Sequence, residues 1–389
     1  MIRILKPNEF EKSFQLSSYA FQFDDTESER KKREETLKPL NTIGYFVKND
    51  LAAKLTVLPK QIYFNSRKIS IGTILGVATW PEHRRQGMID KLIKESIHKM
   101  YEDGQVLSLL VPFSYAFYEK YGWSVFSKKL KVKTNINNIK RLSSSQGQLI
   151  RNNNLEQIKY VYQLYSKEFV GFLSRDDKWW SNQVLRDNHS LVYLNENKEA
   201  EGYLIYNIKN EILKIEEIVY LSKEARNELF LFIKNHDSML QSFSFSMHEK
   251  EKVYSIFLTP DLHMSLDYSH MIRVINVKKL LDYIEIDFDK LGTSKLAFKI
   301  NDNLAASNNQ TFIIENYNGE NHIIESQHSQ SELKGQVIEC DIHVFAKLIF
   351  GIESAEFLYE NGEINGPLEL CKKLDDSLVK ESIYVLDNF

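Results

Sequence analysis

Apolar residues along the chain change period repeatedly, and each change marks an element. Ile74, Leu75, Val77 and Ala78 form a run that stops at Pro81, as a strand does. Met88, Ile89, Leu92, Ile93, Ile97, Met100 and Tyr101 then recur at helical spacing until Gly104. Val106-Leu107-Ser108-Leu109-Leu110-Val111 is a continuous apolar run suited to a buried parallel strand, and Pro112-Phe113-Ser114 opens a short helix through Tyr121 that Gly122 stops. Upstream, a helix in the Pro7–Phe21 region and a charged helix, Glu29–Leu37, precede hairpin-like strands around Ile43–Val57 and Gln61–Ile71, with a turn at Asn65-Ser66.

The polar stretch Ser143-Ser144-Ser145-Gln146-Gly147 interrupts this pattern, and the order then begins again. A helix near Leu155–Phe172, strands at Ser190–Leu194, Glu201–Ile208 and Ile212–Tyr220, and a helix from Ser222 to about Asn235 read as a second, degenerate copy. After about residue 286 the pattern changes to strands at Lys295–Asp302, Gln310–Glu315 and Asn321–Glu325. A helix over Asp341–Phe350, closed by Gly351, and a segment Ser354–Tyr359 running into Gly362 follow. The expected fold class is α/β (α+β), with domains at 1–145, 146–285 and 286–389.

A length of 389 residues calls for more than one core. With 43% hydrophobic and 26% charged residues, no run near the roughly 18 apolar residues of a membrane span, and no signal-like segment after Met1-Ile2-Arg3, a soluble cytoplasmic protein without a membrane partner is expected. A net charge of −3 gives no bulk reason to bind nucleic acid. Cys340 and Cys371 are the only cysteines, and without Cys-x-x-Cys or Cys/His ligand spacing they suggest two buried thiols, with no disulfide framework and no metal site.

Chemistry concentrates between Gly76 and Ile89, where a strand runs through a basic, glycine-bearing turn into a helix. Backbone N–H groups at a helix start are unpaired and carry partial positive charge, so a turn with Arg84, Arg85 and Gly87 suits a pyrophosphate close to the main chain. His83 lies in the same turn and reads as a surface residue.

Arg84-Arg85-Gln86-Gly87-Met88-Ile89 resembles the pyrophosphate loop of the GNAT N-acetyltransferases, with Ile89 in place of the usual small last residue. The block Leu109-Leu110-Val111-Pro112-Phe113-Ser114-Tyr115-Ala116-Phe117-Tyr118-Glu119-Lys120-Tyr121-Gly122-Trp123 resembles the Eis (enhanced intracellular survival) family in its Gram-positive form, and the resemblance extends along the whole chain. It implies two tandem GNAT folds followed by a sterol-carrier-like domain that packs as structure and supplies part of the active site. It also implies acetyl-CoA as co-substrate, bound by Val77, Ala78 and Thr79, by Arg84, Arg85, Gln86, Gly87, Met88, Ile89 and Asp90, and by Phe113 and Ser114. Tyr118 would be the general acid and the carboxylate of the last residue, Phe389, the general base. A small-molecule or peptide amine acceptor and a homo-oligomer, a hexamer, follow from the same resemblance. The counterpart of the loop in the second copy, Tyr220-Leu221-Ser222-Lys223-Glu224-Ala225, has neither a glycine nor paired arginines and is expected to bind no coenzyme.

Acetyl transfer to an amine needs a neutral amine, a donor for the developing oxyanion and an acid for the leaving thiolate. A lysine-type ammonium has a pKa of about 10.4, so a base or proton path is required, and an α-carboxylate with a pKa of about 3.5 is ionised and able to serve. A backbone N–H around Val77 to Thr79 is the expected oxyanion donor. Phe23, Asp24 and Asp25, with Phe21 and Glu27 beside them, fall where the resemblance puts the acceptor pocket, and aromatic and acidic residues together suit a polyamine or aminoglycoside. Two other readings stay open at this point: a non-catalytic acyl-CoA or lipid-binding protein, which would need the loop but not Tyr118 or the chain end, and a longer-chain N-acyltransferase.

Overall fold

Lys48-Asn49 and Asn65-Ser66 hold φ of 47° and 72°, and of 47° and 56°, the left-handed geometry that joins antiparallel strands without splaying them. They connect β2 (Thr42–Val47) to β3 (Asp50–Phe64) and β3 to β4 (Arg67–Thr79), with β1 (Ile2–Ile4) at the outer edge. The Lys48-Asn49 turn divides a stretch that reads as one strand from sequence, because lysine, unlike the Asn-Ser pair of the next turn, has no turn preference of its own. The computed structural model describes residues 1–36, 41–151, 155–260, 262–317, 320–326, 333 and 335–388. Helices α1 (Phe10–Phe21) and α2 (Glu27–Thr36) precede β2; Leu37, the expected end of the charged helix, lies outside the described residues. Helix α3 (Met88–Glu102) follows β4, and β5 (Leu107–Leu110) pairs β4 in parallel before α4 (Tyr115–Glu119).

The remaining strands of the main sheet are β6 (Ser124–Asn135), β7 (Gln148–Arg151), β9 (His189–Leu194), β10 (Ala200–Lys209), β11 (Ile212–Tyr220), β12 (Ser242–His248) and β13 (His263–Val274), with β8 (Phe169–Val170) apart from it. Among the described residues they form one 12-stranded sheet, ordered β1-β2-β3-β4-β5-β13-β6-β12-β11-β10-β9-β7. The two halves exchange strands: β13 of the second lies between β5 and β6, and β6 of the first pairs β12. The expected helix Leu155–Phe172 is shorter, Leu155–Ser166, and Phe169–Val170 becomes β8.

The third unit has a five-stranded sheet, ordered Glu320–Ser326, Thr311–Tyr317, Lys295–Asn301, Val337–Asp341, Ile364–Asn365, with helices Ile342–Ile349, Ala355–Glu360 and Leu368–Ser377. Phe350 stands edge-on to Phe64 and Phe126 at 5.7 and 5.3 Å, so the apolar core runs on from the first unit into the third. Cys340 and Cys371 are free and buried in it. The chain then returns to the main sheet. Ser382–Ile383 pairs in parallel with β8, Tyr384 N–H donates to Val170 O (3.0 Å), and Val385 N–H donates to Ser127 Oγ (3.1 Å). Gly171, at φ 114°, lets this tail approach: a Cβ there would stand 2.8 Å from Val385 Cγ2.

Lys54 on β3 is buried beneath α1, where its ammonium donates to Ser13 Oγ at 2.7 Å. Burial first, and the charge of Arg33 second, lower its pKa to about 7. Between pH 7 and 10.5 the unfolded chain therefore binds more protons at this site than the folded protein, and the stability contributed through Lys54 rises with pH across that window. Below about pH 7 the whole penalty is present. Lys54→Met should thus be more stable than the parent by about 2–3 kcal/mol at pH 6–7, with the gain shrinking towards pH 10, as read by urea unfolding at each pH.

Candidate active site

Pairing between β4 and β5 ends at Ile74 opposite Leu110, but β4 continues to Thr79. Its register against β3 shifts between the Thr56–Leu75 and Lys54–Ala78 pairs, a bulge that places Gly76 at φ 62°. The strands splay apart, and the free edge of β4 from Val77 to Thr79 faces an opening. The chain then makes a short turn over Pro81–His83, passes Arg84 in extended conformation, and enters α3 through Arg85 and Gly87 at φ 61° and 71°. No side chain caps α3, so the N–H groups of its first turn present their partial positive charge outward.

These pieces enclose a cavity of about 960 Å³. Of the residues expected to hold the coenzyme, Val77, Ala78, Thr79, Arg84, Arg85, Gly87, Met88, Ile89, Asp90 and Phe113 line it. Gln86 turns back, donating from Nε2 to Glu82 O at 3.1 Å, and Ser114 occupies the N-cap position of α4 outside the lining. Ala20 and Phe21 of α1, His83, Lys91, Phe117, Lys120 and Tyr121 also line the cavity, and spacing in the sequence assigned none of these to the coenzyme. Phe117, Lys120 and Tyr121 do fall inside the quoted motif block; α1 carries no comparable signal.

Tyr118 lies just behind this wall. Its ring is buried against Phe113, Phe117 and Trp123, at 5.4, 5.1 and 6.2 Å between centroids. Burial, with Tyr121 adding to it, pushes the phenol up to about 12, so it is protonated throughout the neutral range. Among the described residues nothing hydrogen-bonds its hydroxyl, whereas the Tyr115 hydroxyl is engaged with Tyr268 O. Phe23 and Asp25 are occupied within the α1–α2 corner. The Phe23 ring lies under Arg33 at 3.8 Å and edge-on to Phe14 at 5.4 Å, while Arg30 grips Asp25 and also Glu11 at 2.5 Å. Asp24 is exposed, and none of the three lines the cavity.

Phe389 lies outside the described residues. The residues before it are held firmly. Asp387 is 5% exposed and accepts from Arg175 Nε at 3.0 Å and Trp179 Nε1 at 2.7 Å. Arg175 binds Glu217 on β11 with its other nitrogens at 2.5 and 3.1 Å, Tyr203 donates to Glu217 at 2.9 Å, and Lys129 Nζ reaches Leu386 O at 3.0 Å. His270 lies beside the main chain of Asp387, and its neighbour Met271 stands opposite Leu110 at the end of β5. Burial lowers His270 to about 3, so it meets the tail as a neutral ring.

The second unit repeats the splay, since β11 and β12 separate after Lys214 opposite Ser244. Its helix, Lys223–Lys234, however, is capped by Ser222 Oγ, which accepts from Ala225 N–H at 3.1 Å and donates to Glu201 at 2.6 Å. The Arg175 cluster and the chain's own tail occupy the region of Glu217. Among the described residues no group of three or more His, Cys, Asp and Glu could hold a metal ion, and no helix is long and apolar enough to cross a membrane.

Residues 1–126 match the acetyltransferase (GNAT) domain family, residues 171–274 match a second acetyltransferase (GNAT) domain family, and residues 277–385 match the sterol carrier protein domain family. The chain is a GNAT-type N-acetyltransferase. No curated protein matches the sequence. A conserved protein of Enterococcus faecalis V583, described as a probable N-acyltransferase, shares its fold with a TM-score of 0.91 at 23% identity, over 100% of this chain and 99% of that one. A GCN5-related N-acetyltransferase of Anabaena variabilis ATCC 29413 does so at 0.86 and 19%, over 100% of both chains. Eis1 of Mycobacterium abscessus does so at 0.80 and 14%, again over 100% of both chains.

An acyl-CoA is the co-substrate that these domains imply, and the first cavity fits one. Uncapped N–H groups and two arginines suit a pyrophosphate, and the splayed edge of β4 can take an extended amide-bearing arm. Gly87 tests that fit, because a Cβ there would meet nothing within 4 Å and would project into open space where the φ of 71° strains any L side chain. Gly87→Val should weaken CoA binding by at least about 100-fold in calorimetric titration while unfolding stability falls by only about 1–2 kcal/mol. The parent should bind one CoA per chain, and a stoichiometry of two would contradict the contrast between the two helix starts.

Proposed function

We propose that the chain transfers an acetyl group directly from acetyl-CoA to a primary amine, by the mechanism of the Eis enzymes that it resembles. The observation that carries this reading is the meeting of an uncapped helix start, Arg84, Arg85 and the free edge of β4 in one cavity, with the protonated Tyr118 behind it. The amine nitrogen attacks the thioester carbon, a backbone N–H of Val77–Thr79 stabilises the oxyanion, and the C–S bond breaks as Tyr118 gives its proton to the thiolate. The proton lost by the amine goes to the carboxylate of Phe389. Support for that base comes from the anchored tail: Leu386 and Asp387 are fixed by Lys129, Arg175 and Trp179, and His270 beside them adjoins the strand end where the splay begins.

The acceptor is a primary amine on an aminoglycoside, a polyamine or a lysine-like peptide, and Phe21, which lines the cavity, brings α1 to its side of the site. Phe23, Asp24 and Asp25 then shape the approach over α1 and α2 rather than the cavity wall. Assembly as a homo-oligomer, a hexamer, follows from the same resemblance, and light scattering reads it.

Thiol release from acetyl-CoA, propionyl-CoA and myristoyl-CoA against a panel of amines tests the reading. Acetyl-CoA with at least one polyamine or aminoglycoside should turn over; no amine-dependent release from any donor would sink it, and preference for myristoyl-CoA would make the chain a longer-chain acyltransferase. Tyr118→Phe should lower kcat by about 10²–10⁴ with CoA affinity nearly unchanged, and parent-like turnover would move the acid elsewhere. Several residues appended after Phe389 should lower amine acetylation strongly without loss of CoA binding, whereas an N-terminal extension should not. Equal rates for the two fusions would remove the terminal carboxylate from the mechanism.

A further inference from the structure

The coenzyme carries two separate anions, a pyrophosphate and a ribose 3′-phosphate, the latter close to doubly charged at neutral pH. The helix start and its arginines account for one of them. Across the cavity from this basic turn stands Lys120, the residue that ends α4. Its ammonium rests over the rings of Phe117 and Tyr121 at 4.7 and 4.6 Å, and among the described residues it makes no ion pair. The other lysine of the lining, Lys91, reaches over Tyr45 on β2, on the far side of α3. Asp90, the acid of the lining, is paired with Lys94 at 3.2 Å.

Lys120 and Tyr121 also border a second cavity of about 220 Å³, between α4 and the third unit, lined by Glu119, Asp302 and Asp341. Asp302 is neutralised there by Arg273 at 2.7 and 2.8 Å. Lys120 thus stands between the basic cavity and one lined by Glu119 and Asp341, and it is the cation of the α4 wall that faces the first.

We propose that Lys120 is the recognition residue for the 3′-phosphate of coenzyme A, so that the first unit reads its donor at two points: the pyrophosphate from α3 and the ribose phosphate from α4. The two rings hold the ammonium in place, which lowers the ordering cost of a long flexible side chain when the phosphate arrives. This rests on the coenzyme occupying the first-unit cavity, and it names a discrimination which that reading alone does not require.

Calorimetric titration with CoA and with 3′-dephospho-CoA separates the two. The parent should bind CoA about tenfold more tightly than 3′-dephospho-CoA at low salt, with the ratio falling as salt rises. Lys120→Ala should weaken CoA about tenfold, leave 3′-dephospho-CoA within about twofold of the parent, and so bring the ratio near one; Lys120→Arg should restore most of it. Lys120 is exposed, so its variants should unfold at the parent's temperature. If Lys120→Ala keeps the parent's preference for CoA, the proposal is overturned while the coenzyme site stands. If the parent binds neither compound, the coenzyme reading itself fails and takes the proposal with it.

Discussion

Arg175 is the point on which the three units turn. Its guanidinium is fully enclosed, gripped on one side by Glu217 of the second unit and on the other by Asp387 of the tail, 212 residues away, and flanked by the faces of Tyr162 and Trp180 at 4.2 and 4.4 Å. Two carboxylates taken out of water could not stay ionised there without it, and removing one member of such a cluster costs about 3–5 kcal/mol because the others stay buried without a partner. Trp179, Tyr203 and Lys129 satisfy the remaining acceptors, so the cluster tolerates one position of the tail and resists neighbouring ones. A hydrophobic plug of the same volume would hold the tail as strongly but would not fix its register.

The same cluster explains why one of two similar halves is left open. Both splay the strand before their helix from the strand beyond, at Ile74–Leu110 and at Lys214–Ser244. In the first, the gap leads to an uncapped helix start and a cavity. In the second, a serine satisfies the helix and Glu217, at the corresponding bulge of β11, is committed to Arg175. The second half has thus become a socket for the C-terminal tail, and the exchange of β6 and β13 joins that socket to the first half through the middle of the sheet: Ser127 and Lys129 on β6 bond the tail, while Met271 on β13 faces the end of β5.

What the sequence disclosed follows the range of the interactions involved. The strand, turn and helix around Gly87, and the aromatic block on α4, are local, so their spacing exposes them, and ten of the twelve expected coenzyme residues line the cavity. Gln86 and Ser114 do not, because turn geometry rather than spacing decides which way a loop side chain points. The turn at Lys48-Asn49 is less legible than the one at Asn65-Ser66, because lysine has no turn preference of its own. Strand exchange and the Arg175 cluster depend on partners that lie far apart in the chain, and no periodicity records them. Lys120 lies inside the same aromatic block, where a lysine at a short helix end is ordinarily solvated; only the cavity on either side of it distinguishes it.

The protonation states around the site divide the labour between its two ends. At Tyr118 burial against Phe113, Phe117 and Trp123 dominates, so the phenol stays protonated in the neutral range. At the tail the opposite holds: Arg175 is a permanent cation, Lys129, lowered by burial to about 8, is largely charged at neutral pH, and His270 is neutral. Two positive groups against Glu217 and Asp387 leave the socket close to neutral. Desolvation governs the first region and charge balance the second. The two can keep opposite protonation states at one pH because the fold supplies them with different surroundings.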